Sequence, residues 1–433
     1  MRRTILVMPP LAVVLAVILA STALAAPGDL DTTFGGDGIV TTNFTRRIDT
    51  GLALAIQADG KLVVAGGSAF LDGRDGRFAI ARYDPDGSLD PTFGGDGKVT
   101  TDFSRYGDDA AGIAIQPDGK IVVAGDARLG SGNSAFAVAR YDVDGTLDAT
   151  FGGGDGKVVT QFTRRNDGVG SLALQPDGKI VVSGGTGFDA RSSKLALARY
   201  ATDGSLDATF GGDGRVTMDL SGDVDYANAV IAQPDGKIVA GGRTVVGGQV
   251  RFVLVRFDAD GSVDDTFGTD GTVATAMTNR DSSMQALILQ TDLKILAVGY
   301  GIRAVDHAVF ALARYDPDGS LDTTFGAGDG KTLTDFTPGE DYGLGVALQP
   351  DGRIVVAGLA GRGADDTSDA RFAIARYGTD GSLDPTFGGD GRVTTNITAG
   401  YDFSRGIVVQ ADGNIVASGQ ASSRFGVVRY LGT

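Results

Sequence analysis

A nine-residue phrase, Leu-Asp-x-Thr-Phe-Gly-Gly-Asp-Gly, recurs seven times along the 433 residues and constrains this chain more than any other feature. It stands at Leu30–Gly38, Leu89–Gly97 and Leu206–Gly214, and with small changes at Leu147–Gly156, Val263–Gly271, Leu321–Gly330 and Leu383–Gly391. Its aromatic residues (Phe34, Phe93, Phe151, Phe210, Phe267, Phe325, Phe387) lie 57 to 62 residues apart. Two further phrases keep the same period. One is Gln-Pro-Asp-Gly-Lys with variants, beginning at Gln57, Gln116, Gln175, Gln233, Gln290, Gln349 and Gln410; the other is an Ala-Arg-Tyr type ending built on Arg82, Arg140, Arg199, Arg256, Arg314, Arg376 and Arg429. A fixed period of this kind marks one supersecondary unit stacked against copies of itself, because a single unit cannot bury its apolar face alone.

The unit reads as strands. In the second copy, Gly97–Phe103 alternates in polarity, Gly112–Gln116 and Lys120–Gly125 flank a Pro-Asp-Gly turn as a hairpin, and Phe136–Tyr141 supplies a further strand. The 68 Gly suit tight turns, and the 53 Asp against one Glu (Glu340) suit loops, since Asp competes with the helical backbone. Four strands per unit and no helical periodicity predict an all-β fold, a seven-bladed β-propeller of four-stranded blades. A β-solenoid is the alternative, but its coils are shorter and seldom carry such a hairpin. The strand Gly38–Phe44 is expected to complete the last blade beside Phe425–Tyr430, a clasp between the N- and C-terminal strands that leaves no sheet edge open.

The first residues differ from the rest. Arg2 and Arg3 precede an apolar run, Ile5–Ala20, and Ala23-Leu24-Ala25 offers small residues at a cleavage site, so residues 1–25 read as a secretory signal peptide and 26–433 as a single seven-repeat domain, secreted or held at the cell surface. An uncleaved anchor is the rival reading, although the run is short and broken by Pro9-Pro10.

The three phrases together resemble the delta-60 repeat, a bacterial β-propeller repeat of secreted or surface proteins, from Asp29 to Tyr430. The resemblance implies fold and compartment and brings no catalytic residue or cofactor with it. Copy five departs from the pattern, with Thr291-Asp292-Leu293 in place of Pro-Asp-Gly, and copy seven has Asn414 in place of Lys. A modified turn is expected in copy five.

Composition removes several chemistries. With no Cys there is no disulfide, thiolate nucleophile or Cys-ligated metal, and with His307 alone neither a Ser-His-Asp triad nor a multi-histidine centre is expected. A net charge of −16 argues against nucleic acid as a partner and for a soluble monomer. The expected role is therefore a non-catalytic binding or scaffold module. Its ligand, a polysaccharide or a protein, would sit on the face whose loops vary between repeats, because binding residues concentrate on variable loops held by a rigid frame.

An acid recurs before each first strand: Asp49, Asp108, Asp167, Asp225, Asp281, Asp341 and Asp402, six of them eight residues before the repeat Gln. These carboxylates either cap turns or ring the channel mouth, where crowded like charges would hold a hard cation such as Ca²⁺. The second case would suit a calcium-dependent propeller enzyme, a lactonase-like hydrolase or a polysaccharide lyase, with Glu340 as its candidate catalytic carboxylate. The Asp-x-Asp-Gly copies at Asp84 and Asp316 read as turns rather than calcium loops. Each recurring Arg needs a carboxylate if buried, and the Asp of the Leu-Asp-x-Thr-Phe phrase recurs equally often, which predicts an ion pair in every repeat. Arg46, Arg47, Arg74, Arg77, Arg105, Arg164, Arg165, Arg191, Arg280 and Arg405 gather in the variable segments, and such a mixed face could take an acidic ligand.

Overall fold

The computed structural model describes residues 25–44, 48–69, 75–130, 133–188, 192–362 and 370–433. The leader, Arg46, Arg47, Arg74 and Arg191 lie outside them. Numbered in chain order, β1 (Ile39–Thr42) to β28 (Arg424–Tyr430) are all strands, and no helix occurs among the described residues. Copy two consists of β6 (Asp108–Ile115), β7 (Ile121–Gly130), β8 (Asn133–Tyr141) and β9 (Lys157–Thr160), paired antiparallel in that order. The first three strands run further toward the variable loops than alternation predicts, because Gly and Asp break the polar-apolar pattern there without breaking the ladder.

Five four-stranded sheets of this kind form, and two further four-stranded groups are joined only by a parallel bridge from Ala308 to Glu340. One of the five is completed by β1, which pairs antiparallel with β28 from Ile39↔Val428 to Thr42↔Phe425. Leu30 bridges Tyr430, and the Asp31 N–H donates to the Arg429 carbonyl at 2.9 Å.

The first strands of successive repeats are β2 (Ile48–Ile56), β6, β10 (Asn166–Leu174), β14 (Tyr226–Ala232), β18 (Ser282–Leu289), β22 (Glu340–Leu348) and β26 (Asp402–Val409). Each neighbours the next and β26 neighbours β2. All seven line one central channel of about 190 Å³. Every first strand carries a bulge, as between Ala110 and Gly112 or Ser404 and Gly406, and a bulge turns a side chain away from the pleat. The re-aimed residues include Leu52, Ala111, Asn228, Gln285 and Arg405, and Arg405 is the one charged side chain among the described residues of the channel wall.

The apolar core lies between sheets rather than within them. Val63, Ile80, Phe93, Val123 and Tyr141 form one cluster between the first two sheets, and Phe34, Leu62, Val64, Val416 and Phe425 form the equivalent cluster between the last and the first. The seven phrase aromatics, Phe34 to Phe387, are fully buried, each stabilising by about 1.5–3 kcal/mol. Their Gly-Gly-Asp-Gly tails turn sharply back: Gly94 has φ 63°, and a Cβ there would stand 2.3 Å from the Lys98 carbonyl oxygen.

The predicted Arg–Asp pairs form in all seven repeats. The Nε–Oδ2 distances are 2.7 Å (Arg82–Asp90), 2.6 Å (Arg140–Asp148), 2.8 Å (Arg199–Asp207), 2.6 Å (Arg256–Asp264), 2.6 Å (Arg314–Asp322), 2.9 Å (Arg376–Asp384) and 2.7 Å (Arg429–Asp31). Each guanidinium also lies 4.6–4.8 Å from the centroid of the phrase Phe and donates to a backbone carbonyl of the following repeat, for example Arg82 to Val143. Arg429 donates to Pro85, so the last repeat is tied to the first. Copy five corrects one expectation: its turn keeps the hydrogen bonds of the others, Gln290 N to Lys294 O and Leu293 N to Gln290 O at 2.9 Å each, with Leu293 forced to φ 66° where the others have Gly.

Candidate functional site

Six of the seven recurring acids are buried at the start of a first strand with their carboxylates turned back onto the preceding turn. Asp108 accepts from the N–H groups of Phe103 (2.7 Å) and Ser104 (3.0 Å) and from the Ser104 hydroxyl (3.1 Å). Asp341 repeats this with Phe336, Thr337 and the Gly361 N–H, and Asp402 with Ile397, Thr398 and the Ser422 N–H. Asp167 and Asp225 engage Phe162, Thr163 and Thr186, and Leu220, Ser221 and Thr244, in the same way, and Asp49 accepts from the Phe44 N–H at 2.9 Å. Asp281 does not join the set. It is exposed, one residue early, and accepts from the Val250 N–H, while Ser282 is buried in the structural position.

Among the described residues no three His or acidic side chains come together in a metal-binding arrangement. Glu340 is half-buried at the seam where β22 meets the preceding sheet. The Asp-x-Asp-Gly copies are turns, with Asp86 folded onto the N–H and hydroxyl of Ser88 (2.9 and 2.6 Å) and Asp84 paired with Lys61.

A cavity of about 1050 Å³ opens on the variable-loop side, lined among the described residues by copies two, three and four. Lining the repeats up on their Gln shows its origin. Seven residues before the Gln stand Thr50, Asp109, Gly168, Tyr226, Ser283, Tyr342 and Phe403; ten after it stand Gly67, Asp126, Gly185, Arg243, Tyr300, Leu359 and Gln420. Copy three has Gly at both positions, so one sheet presents no side chains where its neighbours present large ones. Copy two presents an acid at both, and copy four an aromatic and a cation. Two repeats further on, Tyr300 and Tyr342 pack edge to face, centroids 4.4 Å apart.

One wall of the cavity is the cross-strand pair Asp109 and Asp126. Asp126 accepts from the Val169 N–H at 2.6 Å. Loss of hydration pushes its carboxyl up to about 7, and although the Val169 N–H acts in the other direction, the neighbouring Asp109 charge adds to the rise. Asp109 is raised as well, by desolvation, with the Arg128 charge opposing. The opposite wall is aromatic: Phe188 and Tyr226 lie 5.6 Å apart, with the Arg243 guanidinium 5.8 Å from the Tyr226 centroid. The missing Cβ of Gly185 makes this possible, since an atom there would stand 2.6 Å from Tyr226 Cδ2. Desolvation, then the Asp126 charge, pushes the Tyr226 hydroxyl up. Asn133, Ser134 and Asn166 supply amides and a hydroxyl, and at the rim Arg105 lies over Tyr106, which is 41% exposed.

Sequence reasoning expected binding on this face, with Asp126–Asn133 and Gly184–Ser193 among its variable segments, and named Arg105, but it singled out none of Asp109, Asp126, Phe188 and Tyr226. Residues that repeat seven times draw attention, whereas the signal here is the position where the copies disagree.

A family model described as "Domain of unknown function (DUF5122) beta-propeller" matches residues 57–93, 116–151, 175–210, 233–267, 290–325 and 349–387. Among solved structures, a catalytically inactive virginiamycin B lyase from Staphylococcus aureus with quinupristin is 12% identical, with 90% of this chain and 98% of that one covered and a TM-score of 0.53. The β-propeller domain of the trilobed protease from Pyrococcus furiosus is 13% identical (90% and 95% covered, TM-score 0.42), and a gluconolactonase from Xanthomonas campestris is 15% identical (94% and 98%, TM-score 0.39). The likeness to the first is one of fold. No curated protein matches the chain in sequence.

Proposed function

This chain belongs to the DUF5122 β-propeller family, and from that premise we propose that it is a secreted, non-catalytic binding module: a seven-bladed disc, closed by its terminal strands, that takes a polysaccharide or protein segment on the variable-loop face. The observation that carries the reading is the cavity of about 1050 Å³, because it is the place where a regular repeat departs from its own symmetry. A concave site with an aromatic wall and a few polar groups suits ligand capture. The channel lined by seven first strands and the pairing of β1 with β28 support the blade count and the closure. His307 is paired with Asp335 at 3.0 Å and lies outside the cavity lining.

The test is an oligosaccharide and peptide binding screen of the purified protein, read by isothermal titration. Tyr226→Ala should weaken the ligand found by about tenfold or more, the scale of one aromatic contact. Val143→Ser, an exposed change on the repetitive face, should leave it alone. The reverse pattern would place binding on the other side of the disc. Localisation is checked by N-terminal sequencing of protein recovered from the culture medium, which should begin at Ala26.

A further inference from the structure

The bulge of each first strand leaves one residue unpaired in the channel wall, five before the repeat Gln: Leu52, Ala111, Gly170, Asn228, Gln285, Leu344 and Arg405. Arg405, counted in the sequence among the Arg residues of the variable segments, thus stands on β26 inside the channel. Among the described residues its guanidinium makes one hydrogen bond, a long one of 3.5 Å to the Gly170 carbonyl on the far side of the ring. Copies two and three offer only Ala111 and Gly170 there, which leaves the space it crosses. Every Arg of the Ala-Arg-Tyr endings has an Asp within 2.9 Å, whereas no carboxylate stands among the described residues of the channel wall. Loss of hydration pulls the Arg405 guanidinium below its ordinary value, and only the Tyr226 hydroxyl acts in the other direction. A desolvated cation without a counter-charge is costly. The neighbouring donors also have capacity to spare: Asn228 gives one amide N–H to the Met284 carbonyl at 2.6 Å and Gln285 gives one to the Ser283 hydroxyl at 3.1 Å, and each amide has a second.

We propose that the central channel binds a small carboxylate, held by the Arg405 guanidinium, with the amide N–H groups of Asn228 and Gln285 on the same ring as further donors. The charge selects the class, since one cation neutralises one negative charge and would leave a sulfate or phosphate dianion half compensated. The planar fork of a guanidinium matches the two oxygens of a carboxylate better than it matches a spherical ion. About 190 Å³ has room for a small ion and not for an oligosaccharide. The proposal stands on residues of the channel and does not depend on what the variable-loop face binds.

The experiment follows the melting temperature of the full-length protein, dialysed into a zwitterionic buffer near neutral pH, as sodium acetate, sodium chloride or sodium sulfate is added at matched ionic strength. Acetate is expected to give a saturable rise of about 2 °C beyond that of chloride, the mass-action effect of a ligand that binds the folded state. Arg405→Leu, the residue copies one and six carry at this position, and Arg405→Gln, the residue of copy five, should both remove that difference. Their folding is checked by an unaltered circular dichroism spectrum. Without acetate, Arg405→Leu should melt above the parent, because the uncompensated charge is gone, and acetate should narrow the gap. An acetate effect equal in the parent and both variants would overturn the inference as a diffuse ion effect. The same rise with chloride or sulfate, lost in the variants, would overturn the assignment to a carboxylate. Absence of any acetate effect in the parent would overturn the site itself and leave Arg405 as a plug held by the Gly170 carbonyl.

Discussion

The Tyr315 hydroxyl donates to Thr275 Oγ1 at 2.8 Å across the seam between two neighbouring sheets, with both residues buried. Five other repeats make the same bond, from Tyr83–Thr42 to Tyr430–Thr395. In the remaining one the pair is Phe257 and Met218, packed in a single apolar cluster, so the chain contains its own matched replacement of both partners. Tyr315→Phe should cost about 1 kcal/mol, since the buried Thr275 hydroxyl loses its donor. Phe257→Tyr should destabilise, and adding Met218→Thr should recover the loss. Chemical denaturation of the double-mutant cycle checks this.

Arg314 joins Asp322, the Thr324 hydroxyl, the Phe325 ring and the next repeat's Thr379 carbonyl. Burial works to raise the Asp322 carboxyl, but Lys294, the Thr324 hydroxyl and N–H and Arg314 outweigh it and hold it well below the usual range. A depressed carboxylate stabilises above its unfolded value and ceases to do so as pH falls through its folded one. Arg314→Met should destabilise by about 3–5 kcal/mol at neutral pH, the penalty for leaving a buried charge short of its partner, and by less in acid. Melting temperatures at the two pH values test both statements.

Leu293 holds φ 66° in a turn where the six other repeats use Gly with φ 85–89°. The left-handed region costs a residue with a Cβ about 1–2 kcal/mol. Leu293→Gly should therefore stabilise the protein by about 1 kcal/mol, less whatever the looser unfolded chain takes back, measured by thermal unfolding.

Asp108, Asp167, Asp225, Asp341 and Asp402 already accept two or more N–H and hydroxyl donors each. A calcium ion would have to displace them. Excess Ca²⁺ or a chelator should leave the melting temperature unchanged within about 1 °C, because a ligand that does not bind the folded state gives no mass-action stabilisation. A calcium-dependent rise would return these acids to the channel-mouth role.

Asp126, held at about 7 against an ordinary 3.8, keeps a proton in the folded state that the unfolded chain has already released between those values. Stability therefore falls as pH rises through that window, the opposite sign from Asp322. Asp108, pushed up to about 6 by burial against the opposing Phe103 and Ser104 N–H groups, adds to the same decline. Asp126→Asn should melt a few degrees above the parent at about pH 8 and level with it at about pH 4, the order expected for a change of 1–2 kcal/mol.

The seven copies of Leu-Asp-x-Thr-Phe-Gly-Gly-Asp-Gly by themselves determined the strands, their grouping in fours and the ion pair of each Arg with its Asp, because in six repeats the partners stand eight residues apart and the repetition carries the same pairing to Arg429 and Asp31 at the chain ends. Only the tertiary structure decided where Asp108 and its counterparts point, since a carboxylate at the start of a first strand can face the channel or fold back onto the turn before it, and the orphan N–H groups of that turn drew it back. Only the tertiary structure, too, brought Asp126 of copy two to the same cavity as Tyr226 of copy four. Two glycines in copy three let those side chains share one space, and an absent side chain leaves no pattern of its own in a sequence rich in Gly.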